Sequence, residues 1–446
     1  MNRIVVIGAG LAGSEAAYQL ASRNIPVTLI EMRPNVTTPA HRTAMPAELV
    51  CSNSLGSSSF KTASGLLKAE LAMLGSMILR VAVRSQVPAG SALAVDREMF
   101  SYHVESQLKS LQSCEYLHQH VTAIPKENHS IIATGPLTSD PLAEDLAKII
   151  GKENLAFYDA TSPIIEGESI DRTKFFYGSR RDENSTDYIN CPMDQNQYSQ
   201  FVSRLRNSPT VTPHDFEQCG LFSGCQPIED LAKSGELTLA FGPMRPVGLM
   251  DPRTGKKPFA VVQLRKEDTE GKRYGMVGFQ TRMTFPAQRE VFSTIPGLEN
   301  AVFLRLGVIH RNTFVCGPVA LDCKLRLKNL NSVRLAGQIT GVEGYLESTA
   351  CGLMSGLFSL AESQRSELSI PPTTTMIGSL MKYVIEGPTD NFQPMNANFG
   401  LLPNIEKHSC KRERKQLYFQ RSLTDLKTWI DSAPFKIEPI SEFANT

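Results

Sequence analysis

Two of the nine cysteines stand in sequence surroundings where a thiol could do chemistry. Cys51 lies in the stretch AELVCSNSLGSSS, residues 47–59, a loop of serines and small residues that is a poor place for a core side chain. Cys225 precedes Pro227 at the predicted start of a helix, where the helix dipole favours a thiolate. Two acids in the same turn act in the opposite direction, and the sequence leaves open which effect wins. Each cysteine is therefore a candidate catalytic group, with a buried or tolerated thiol as the alternative.

The N-terminal segment RIVVIGAGLAGSEAAYQLASRNIPVTLIEMRP predicts a strand, a tight turn, a helix and a second strand. Gly8, Gly10 and Gly13 form the pattern G-x-G-x-x-G between the first strand and the helix. Gly8 makes the turn, Gly10 lets a pyrophosphate approach the backbone, and Gly13 lets the helix pack on the strand. Glu31 ends the second strand, where it can accept hydrogen bonds from ribose hydroxyls and disfavours a 2′-phosphate. The segment therefore predicts a bound dinucleotide other than NADP.

Two later segments favour FAD over NAD. SIIATGPL, residues 130–137, predicts another buried strand ending at glycine. SVRLAGQITGVEGYLESTACGLMSGLFSLAES predicts a strand, a glycine turn and a long helix, in which Gly352 and Gly356 permit close packing. A second helix N-terminus near the cofactor suits the electron-rich end of a reduced flavin. The predicted cofactor-binding residues are Gly8, Ala9, Gly10, Leu11, Ala12, Gly13, Glu31, Arg33, Ser52, Asn53, Gly337 and Gln338.

These elements predict an α/β fold: a Rossmann-type FAD-binding domain of the glutathione-reductase class, interrupted by a mixed α+β insertion domain. Because the FAD-binding segments lie at both ends, residues 1–154 and 306–446 are assigned to a discontinuous FAD-binding domain and residues 155–305 to the insertion. Within the insertion, AVVQLRKEDTEGKRYGMVGFQT predicts a β-hairpin. After the Cys51 loop, GLLKAELAMLGSMIL predicts one helix with an apolar face, and PPTTT predicts a linker before a final helical segment.

Composition narrows the class of protein. The 446 residues are 41% hydrophobic and 20% charged, with a net charge of +1, which predicts neither a nucleic acid nor a membrane as partner of the whole surface. No apolar run approaches the roughly 20 residues that span a bilayer, and the N-terminus lacks a signal-peptide pattern. The cysteines and histidines show no zinc-site spacing, so no metal is expected. We expect a cytoplasmic enzyme.

A series of sequence blocks resembles a known family. They are, in order, GAGLAGSEAA, AHRTAMPAELVCSNSL, VPAGSALAVDR, ATGPLTSDPLA, FSGCQPIE, FGPMRPVGL, AVVQLRKE, VGFQT, HRNTF, LAGQITGVEGYLES and NFQPMNANFGLLP. From residue 3 to about residue 405 the chain resembles the folate- and FAD-dependent tRNA uracil-5-methyltransferases of bacteria. Several of these blocks are specific to that family, unlike the dinucleotide fingerprint.

The resemblance implies methylation of a uridine in the tRNA T loop, with methylenetetrahydrofolate as carbon donor. Reduced FAD carries the methylene and supplies the electrons, and NADPH or NADH re-reduces it. The family's two cysteines match Cys51 and Cys225. By analogy, Cys225 is the thiolate that adds to carbon 6 of uracil, and Cys51 is the group beside the flavin, as base or flavin partner. The expected partners are tRNA and folate, with no membrane or metal, for a monomer or weak dimer.

Other substrate-binding candidates follow from residue chemistry. His310 and Arg311 offer a ring to stack on a pterin and a cation for a folate glutamate or a phosphate, with a plain surface pair as the alternative. A second candidate is an RNA-facing patch, with a solvated strand face as its alternative. Its members are Arg172, Lys174, Arg180 and Arg181, interleaved with Phe175, Phe176 and Tyr177. The basic run KRERK, residues 411–415, predicts a solvated helix face.

The chain also departs from the family pattern. Gly56 stands where an arginine commonly follows CSNSL, and Ala44, Met45 and Pro46 replace a more polar stretch before Cys51. Both cysteines and the glycine fingerprint are intact, so we expect an active enzyme. The alternatives are the same chemistry on ribosomal RNA, a flavin oxidoreductase acting on a small metabolite, and a flavin-binding RNA partner without turnover. The assignments of RNA and folate depend on the resemblance alone.

Overall fold

A computed structural model of the chain describes ten stretches of backbone. They are residues 3–38, 40–151, 155–160, 162–180, 187–211, 226–267, 271–307, 309–389, 392–405 and 411–440. Within them, the side chains of residues 156–160, 309–312 and 411–412 are outside the description.

The described strands fall into four sheets. In chain order they are β1 (Ile4–Ile7), β2 (Val27–Glu31), β3 (Ser54–Ser57), β4 (Gln86–Val87), β5 (Ala92–Val95), β6 (Cys114–His118), β7 (Ser130–Ile132), β8 (Leu155–Ala160), β9 (Ile164–Glu166), β10 (Phe176–Tyr177), β11 (Tyr188–Met193), β12 (Ala260–Lys266), β13 (Arg273–Met276), β14 (Phe303–Arg305), β15 (Ile309–Val315), β16 (Arg326–Leu327) and β17 (Leu330–Leu335).

The described helices alternate with these strands in the N-terminal part and cluster at the C-terminus. They are α1 (Leu11–Ala21), α2 (Ala63–Met73), α3 (Met77–Arg84), α4 (Arg97–Lys109), α5 (Asp140–Ile150), α6 (Gln195–Asn207), α7 (Ile228–Ser234), α8 (Thr238–Phe241), α9 (Phe285–Phe292), α10 (Gly317–Ala320), α11 (Tyr345–Ser363), α12 (Met376–Glu386) and α13 (Lys411–Asp431). Among the described residues, no helix is both long and apolar enough to cross a bilayer.

The first sheet has the order β16-β17-β7-β1-β2-β6 and is parallel except for the β16–β17 pair. β1 lies inside this sheet, between β7 and β2. Val6 and its neighbours are largely buried there, as the β-branched run predicts. The carboxyl ends of β1, β2, β7 and β17 therefore meet at one edge of the sheet. This is the edge at which open α/β sheets bind ligands.

The second sheet has the order β10-β11-β12-β13-β9-β14 and is antiparallel throughout. β12 and β13 form the predicted hairpin. The sheet packs with α6, α7 and α9 around a hydrophobic core drawn from residues 165–298. The larger core combines residues 4–146 with residues 315–440. A third sheet, β3-β5-β4, carries the segment just after Cys51, and β8 pairs with β15.

The segment predicted as one helix after the Cys51 loop forms two. α2 ends at Met73 and α3 begins at Met77, because Gly75 adopts a left-handed φ of +71° that a continuous helix does not allow. A Cβ at Gly75 would lie 2.2 Å from the carbonyl oxygen of Glu438. The break therefore lets the C-terminal segment pack against the end of α2.

One buried carboxylate joins three of the helices around the larger core. Glu70 of α2 is fully buried and accepts hydrogen bonds from the backbone N–H groups of Met376 (2.7 Å) and Ile377 (2.8 Å) at the start of α12. It also accepts one from the Ser422 hydroxyl of α13. Burial raises the pKa of Glu70 from 4.5 to about 7, and these hydrogen bonds offset only part of that effect.

Glu70→Gln tests this junction. Because the folded-state pKa is above the unfolded value of 4.5, the titration of Glu70 favours the fold most below pH 4.5 and loses that contribution as pH rises through about 7. The difference in unfolding free energy between wild type and the non-titrating variant should therefore shrink by about 3 kcal/mol from acid to neutral pH. Denaturant unfolding at a series of pH values measures it. A difference independent of pH would contradict the shift.

Candidate active site

The predicted glycine turn forms at the carboxyl end of β1. Gly8 has a φ of +97°, and a Cβ there would lie 2.6 Å from the carbonyl oxygen of Ala133. A Cβ at Gly13 would lie 1.8 Å from the carbonyl oxygen of Gly8, so both positions need glycine for packing. A Cβ at Gly10 would meet nothing within 4 Å. Gly10 therefore keeps the space in front of α1 open, as approach of a pyrophosphate requires.

This space is part of a cleft of about 990 Å³, some of it open to solvent, along the carboxyl edge of the first sheet. Eight predicted cofactor-binding residues line it: Gly8, Gly10, Leu11, Ala12, Glu31, Arg33, Gly337 and Gln338. Ala9, Gly13, Ser52 and Asn53 lie outside the lining. Residues that the sequence prediction missed also line it, among them His41, His120, Thr134, Thr138 and Tyr345.

Glu31 is held in place at the end of β2 by short hydrogen bonds. Its Oε2 accepts from the Ala9 N–H (3.0 Å), and its Oε1 accepts from the Arg33 side chain (2.8 Å). Burial opposes ionisation of Glu31, but Arg33 outweighs it and holds the pKa of this carboxyl below its usual range. Arg33 also pairs with Glu48 at 3.1 Å. Glu31 is therefore an oriented, charged acceptor facing the cleft.

His41 brings a neutral ring to the same cleft. Its Nδ1 lies 2.7 Å from the Thr38 hydroxyl. Burial and, after it, the charge of Arg33 lower the pKa of His41 to about 4. The imidazole is therefore uncharged at neutral pH. It can contact a flat ring or accept a hydrogen bond without bringing a charge into the cleft.

The opposite wall comes from the predicted glycine turn near the C-terminal part of the fold. Gly337 has a φ of +79°, and a Cβ there would lie 2.6 Å from the Ala12 Cβ of α1. The Gln338 side chain donates to Glu343 at 2.6 Å. Residues of β1, α1, β2 and this turn thus surround one cleft, although they are distant in sequence.

Cys51 lies beside this cleft. Its backbone N–H and that of Ser52 both donate to the Tyr345 hydroxyl, at 2.9 and 3.1 Å. Tyr345 begins α11 and lines the cleft, as does Val50, the residue before Cys51. Burial raises the pKa of Tyr345, and the neighbouring Cys51 thiol raises it further, so the phenol stays protonated. The Cys51 loop is thus fixed to the helix that closes the cofactor cleft.

Two side chains also connect this loop to the second sheet. Asn53, fully buried, donates to the carbonyl oxygens of Val95 (3.1 Å) and Lys266 (2.9 Å) and accepts from Arg265 (2.8 Å). Arg97 donates to the carbonyl oxygen of Leu49 (2.6 Å) and pairs with Glu267 at 2.7 Å. Asn53 therefore contacts the protein scaffold at both cores.

A buried lysine holds the segment after the loop. The Lys68 ammonium is 2% exposed and donates to the carbonyl oxygens of Leu55 (2.8 Å), Gly56 (3.1 Å) and Ser57 (2.9 Å) and to the Ser64 hydroxyl (3.0 Å). Burial lowers the pKa of Lys68 from 10.5 to about 7. No carboxylate within salt-bridge distance of this amine is found in the described part of the chain. The hydrogen-bond partners of the Lys68 ammonium are therefore three backbone carbonyl groups and one hydroxyl.

The departure at Gly56 has a structural reason in this chain. Gly56 has a φ of +78°, and a Cβ there would lie 2.5 Å from the Ser64 hydroxyl oxygen that receives Lys68. An arginine could not adopt this backbone conformation without strain and would displace Ser64. Glycine thus lets the loop wrap around the Lys68 ammonium.

The remaining predicted residues are placed as follows. Cys225 and Arg181 lie outside the described residues. His310 and Arg311 are in β15, where their backbones pair with Asp159 and Tyr158 of β8, and their side chains are outside the description. Arg180 donates to the carbonyl oxygens of Pro243 (2.8 Å) and Arg245 (3.2 Å).

The predicted RNA-facing patch is wrong in its aromatic part. Phe175 and Phe176 are 7% and 5% exposed and belong to hydrophobic cores, so neither can stack on a base. Tyr177 is 43% exposed. Lys174 pairs with Glu299 at 2.7 Å. Of the described members, Arg172, Lys174 and Tyr177 are exposed, and Arg180 is half-buried.

The chain is similar to known proteins over most of its length. The family described as "Glucose inhibited division protein A" (GIDA) matches residues 3–367. A protein of Natranaerobius thermophilus named "Methylenetetrahydrofolate--tRNA-(uracil-5-)-methyltransferase TrmFO" is 48% identical over 429 residues, which cover 96% of this chain and 99% of that protein. The protein of that name from Aquifex aeolicus is 48% identical over 432 residues, 96% of each chain.

A solved structure shares the fold. The structure of Aquifex aeolicus GidA in its form II crystal superposes with a TM-score of 0.67 over 96% of this chain and 73% of that chain, at 15% identity. The same protein in its form I crystal gives a TM-score of 0.66. At this identity the match supports the α/β architecture and not a shared activity.

Gly10→Val should prevent binding of the flavin cofactor in the cleft without unfolding the chain. The backbone at Gly10 has a φ of −70°, which valine can adopt, and its Cβ would project into open space where a pyrophosphate must lie. We expect purified Gly10→Val to melt as a folded protein but to carry no flavin absorbance. Gly13→Ala is the contrasting variant, because its Cβ collides with the protein backbone and should destabilise the fold itself. Flavin retained by Gly10→Val would overturn the assignment of this cleft.

Lys68→Met should loosen the segment after Cys51, because it leaves buried carbonyl groups without their donor. The folded-state pKa of Lys68 is below its unfolded value of 10.5, so the titration of this lysine favours the fold increasingly as pH rises from about 7 towards 10.5. The stability difference between wild type and Lys68→Met should therefore grow over that interval. Exposed Lys61→Met is the matched control for the loss of a lysine side chain. A stability difference for Lys68→Met that stays constant over that pH interval would contradict the lowered pKa.

Proposed function

The chain belongs to the GIDA family and to the family of the TrmFO methyltransferases, and on this premise we propose that it methylates carbon 5 of a uridine in the T loop of tRNA. Methylenetetrahydrofolate is the one-carbon donor in this proposal. The observation that carries it is the 48% identity over 96% of the chain. Two chemical requirements follow: a site for a redox cofactor, and thiol groups that activate a poorly nucleophilic pyrimidine.

The cleft meets the first requirement. Gly10 leaves open the path for a pyrophosphate at the start of α1, and Glu31 presents a fixed carboxylate at the distance along the chain expected for a ribose contact. Gly337 and Gln338 line the far wall. These residues fit FAD, which in its reduced form supplies the two electrons that convert a methylene unit into a methyl group.

The Cys51 loop supports the second requirement. Tyr345 fixes the backbone of Cys51 at the cleft, and Arg97 fixes Leu49 two residues earlier. A thiol held in this way keeps its distance from a bound ring constant, as a proton acceptor must. In this proposal Cys51 acts as the base or as the partner of the cofactor.

Cys225 is the proposed nucleophile that adds to carbon 6 of uracil, so that carbon 5 becomes reactive. The sequence left open whether the acids of the α7 first turn oppose a thiolate there. Asp230 pairs with Arg282 at 2.7 Å, which offsets its charge. Glu229 is buried, accepts hydrogen bonds from Thr281 and Arg282, and has its pKa raised chiefly by burial. Both arrangements reduce the negative charge felt at the start of α7.

The remaining elements of the proposal concern organisation and partners. The two hydrophobic cores support a cofactor domain of residues 1–154 and 306–446 and an insertion of residues 155–305. His310 and Arg311 lie on the β15 strand after the insertion, where they would contact folate or a substrate phosphate. We propose NADPH or NADH as the reductant, and a monomer or weak dimer working in the cytoplasm, where tRNA is modified.

Mass analysis of unmodified tRNA tests the reaction. The holoenzyme with NADPH and methylenetetrahydrofolate should add one methyl to a T-loop uridine, and omission of the folate should abolish it. Cys225→Ala should form no product, because carbon 5 is then not activated. Cys51→Ala should lose roughly a hundredfold or more in rate. Both variants should retain FAD.

Cys323→Ala is the matched control, since this cysteine is exposed and far along the chain from either candidate. It should methylate at the wild-type rate. Full activity of the Cys225→Ala variant would show that Cys225 is not the nucleophile. Methylation of ribosomal RNA but not tRNA by the wild type would replace the substrate, and absence of any methylated RNA would overturn the proposed function.

A further inference from the structure

The part of the chain that forms the second sheet carries an aromatic ring that is largely exposed among the described residues. Phe241, the last residue of α8, is 80% exposed, more than any other large hydrophobic side chain among those described. Val247 (60%) and Met250 (48%) follow it on the same connection to β12. Single exposed apolar residues are ordinary, but three exposed within ten residues of one connection mark a candidate binding surface.

Cations flank this apolar surface. Arg180 reaches across to donate to the carbonyl oxygens of Pro243 (2.8 Å) and Arg245 (3.2 Å), and the Arg245 side chain is exposed. The two guanidinium groups are close enough to affect each other: burial and, after it, the charge of Arg245 lower the pKa of Arg180 to about 10. We define the Phe241 patch as Phe241, Val247 and Met250 with Arg180 and Arg245.

Acidic groups do little to neutralise the patch. Asp251, which follows it directly, is 4% exposed and paired with Arg253 at 2.7 Å. Glu236, ahead of α8, is exposed and is the nearest unburied carboxylate in this stretch of sequence. Among the described residues of the stretch 236–251, together with Arg180, the surface thus combines an aromatic face with two cations and one exposed acid, a balance that favours an anionic partner.

The patch adjoins the start of α7. The Ile228 N–H of α7 donates to the carbonyl oxygen of Gln280 at 2.7 Å. Two residues earlier in that loop, a Cβ at Gly278 would lie 2.9 Å from the Pro243 Cβ. One short loop therefore contacts both the first residue of α7 and the segment that carries Phe241. The proposed nucleophile precedes this helix by three residues in the sequence.

We propose that the Phe241 patch binds the looped RNA of the substrate, with an unpaired base stacked on the Phe241 ring and phosphates paired with Arg245 and Arg180. This rests on the proposed function, and it deepens it by assigning an RNA contact to residues outside the cofactor cleft. Sequence-tolerant binding of unpaired nucleotides depends on this combination of an aromatic platform and cations. A second copy of the chain would bring the same cations to the interface and repel them, so RNA is the better occupant.

The test is the affinity of the FAD-loaded enzyme for an unmodified T-arm hairpin, measured by fluorescence anisotropy without folate. Phe241→Ala should weaken binding about tenfold, since stacking on one base supplies that order of affinity. Phe241→Trp should restore it. Arg245→Gln should lower the slope of log affinity against log salt concentration by about one. Tyr102→Ala, which removes an aromatic ring 53% exposed on α4, is the matched control and should bind as wild type.

The outcomes separate this inference from the proposed function. Wild type that methylates tRNA while Phe241→Ala binds the hairpin normally would overturn the patch alone. Wild type that neither methylates nor binds would overturn both. Unchanged hairpin affinity together with a lower sedimentation coefficient for Phe241→Ala would assign the patch to self-association and reject the RNA contact. Weakened binding by Phe241→Ala, rescue by Phe241→Trp and a normal Tyr102→Ala would support it.

Discussion

The close approach of backbone to backbone around α1 is the constraint on which the cofactor cleft depends. A Cβ at Gly352 of α11 would lie 2.2 Å from the carbonyl oxygen of Ala12, and one at Gly337 would lie 2.6 Å from the Ala12 side chain. Only glycine permits these distances, so α1 is pressed between the first sheet, the Gly337 turn and α11. Since α11 begins with Tyr345, this packing also decides where the Cys51 loop is anchored.

The site couples two kinds of stabilisation. Gly8, Gly13 and Gly337 let backbone segments pack closely around the cleft, and Gly10 leaves room for a ligand. The loop beside it is held by hydrogen bonds from three polar side chains: Asn53 and Lys68, which are buried, and Arg97, which is half-buried. Buried polar groups are costly unless partnered, so the hydrogen bonds of Asn53 and Lys68 favour one loop conformation. In the proposed function, a loop held in this way would keep the Cys51 thiol at a constant place beside the cofactor cleft.

The sequence predicted the parts of the fold that depend on local pattern. The unit from β1 to β2 formed with α1 at Leu11–Ala21, because strand, glycine turn and helix each have their own sequence signal. It did not predict that Phe175 and Phe176 are buried, because Phe176 packs on Leu249 and Val261, which are far along the chain. Nor did it predict the role of Lys68, whose partners are backbone carbonyls that leave no trace in residue type. Thr134 could have been found from the rule that ligands bind at the carboxyl ends of parallel strands, since it follows β7 directly, whereas His41 comes from the long connection after β2.

Asn53 has an evolutionary consequence. Its single amide contacts the backbone of Val95 in the small third sheet and that of Lys266 at the end of β12, and its oxygen accepts from Arg265. A replacement at Asn53 would remove a hydrogen-bond acceptor of Arg265 and the donor of two backbone carbonyl groups at once. Positions 53 and 265 are therefore expected to change together among descendants of this chain or not at all. The third sheet and the second sheet are thus linked through one side chain, so a change on either side of this junction is constrained by the other.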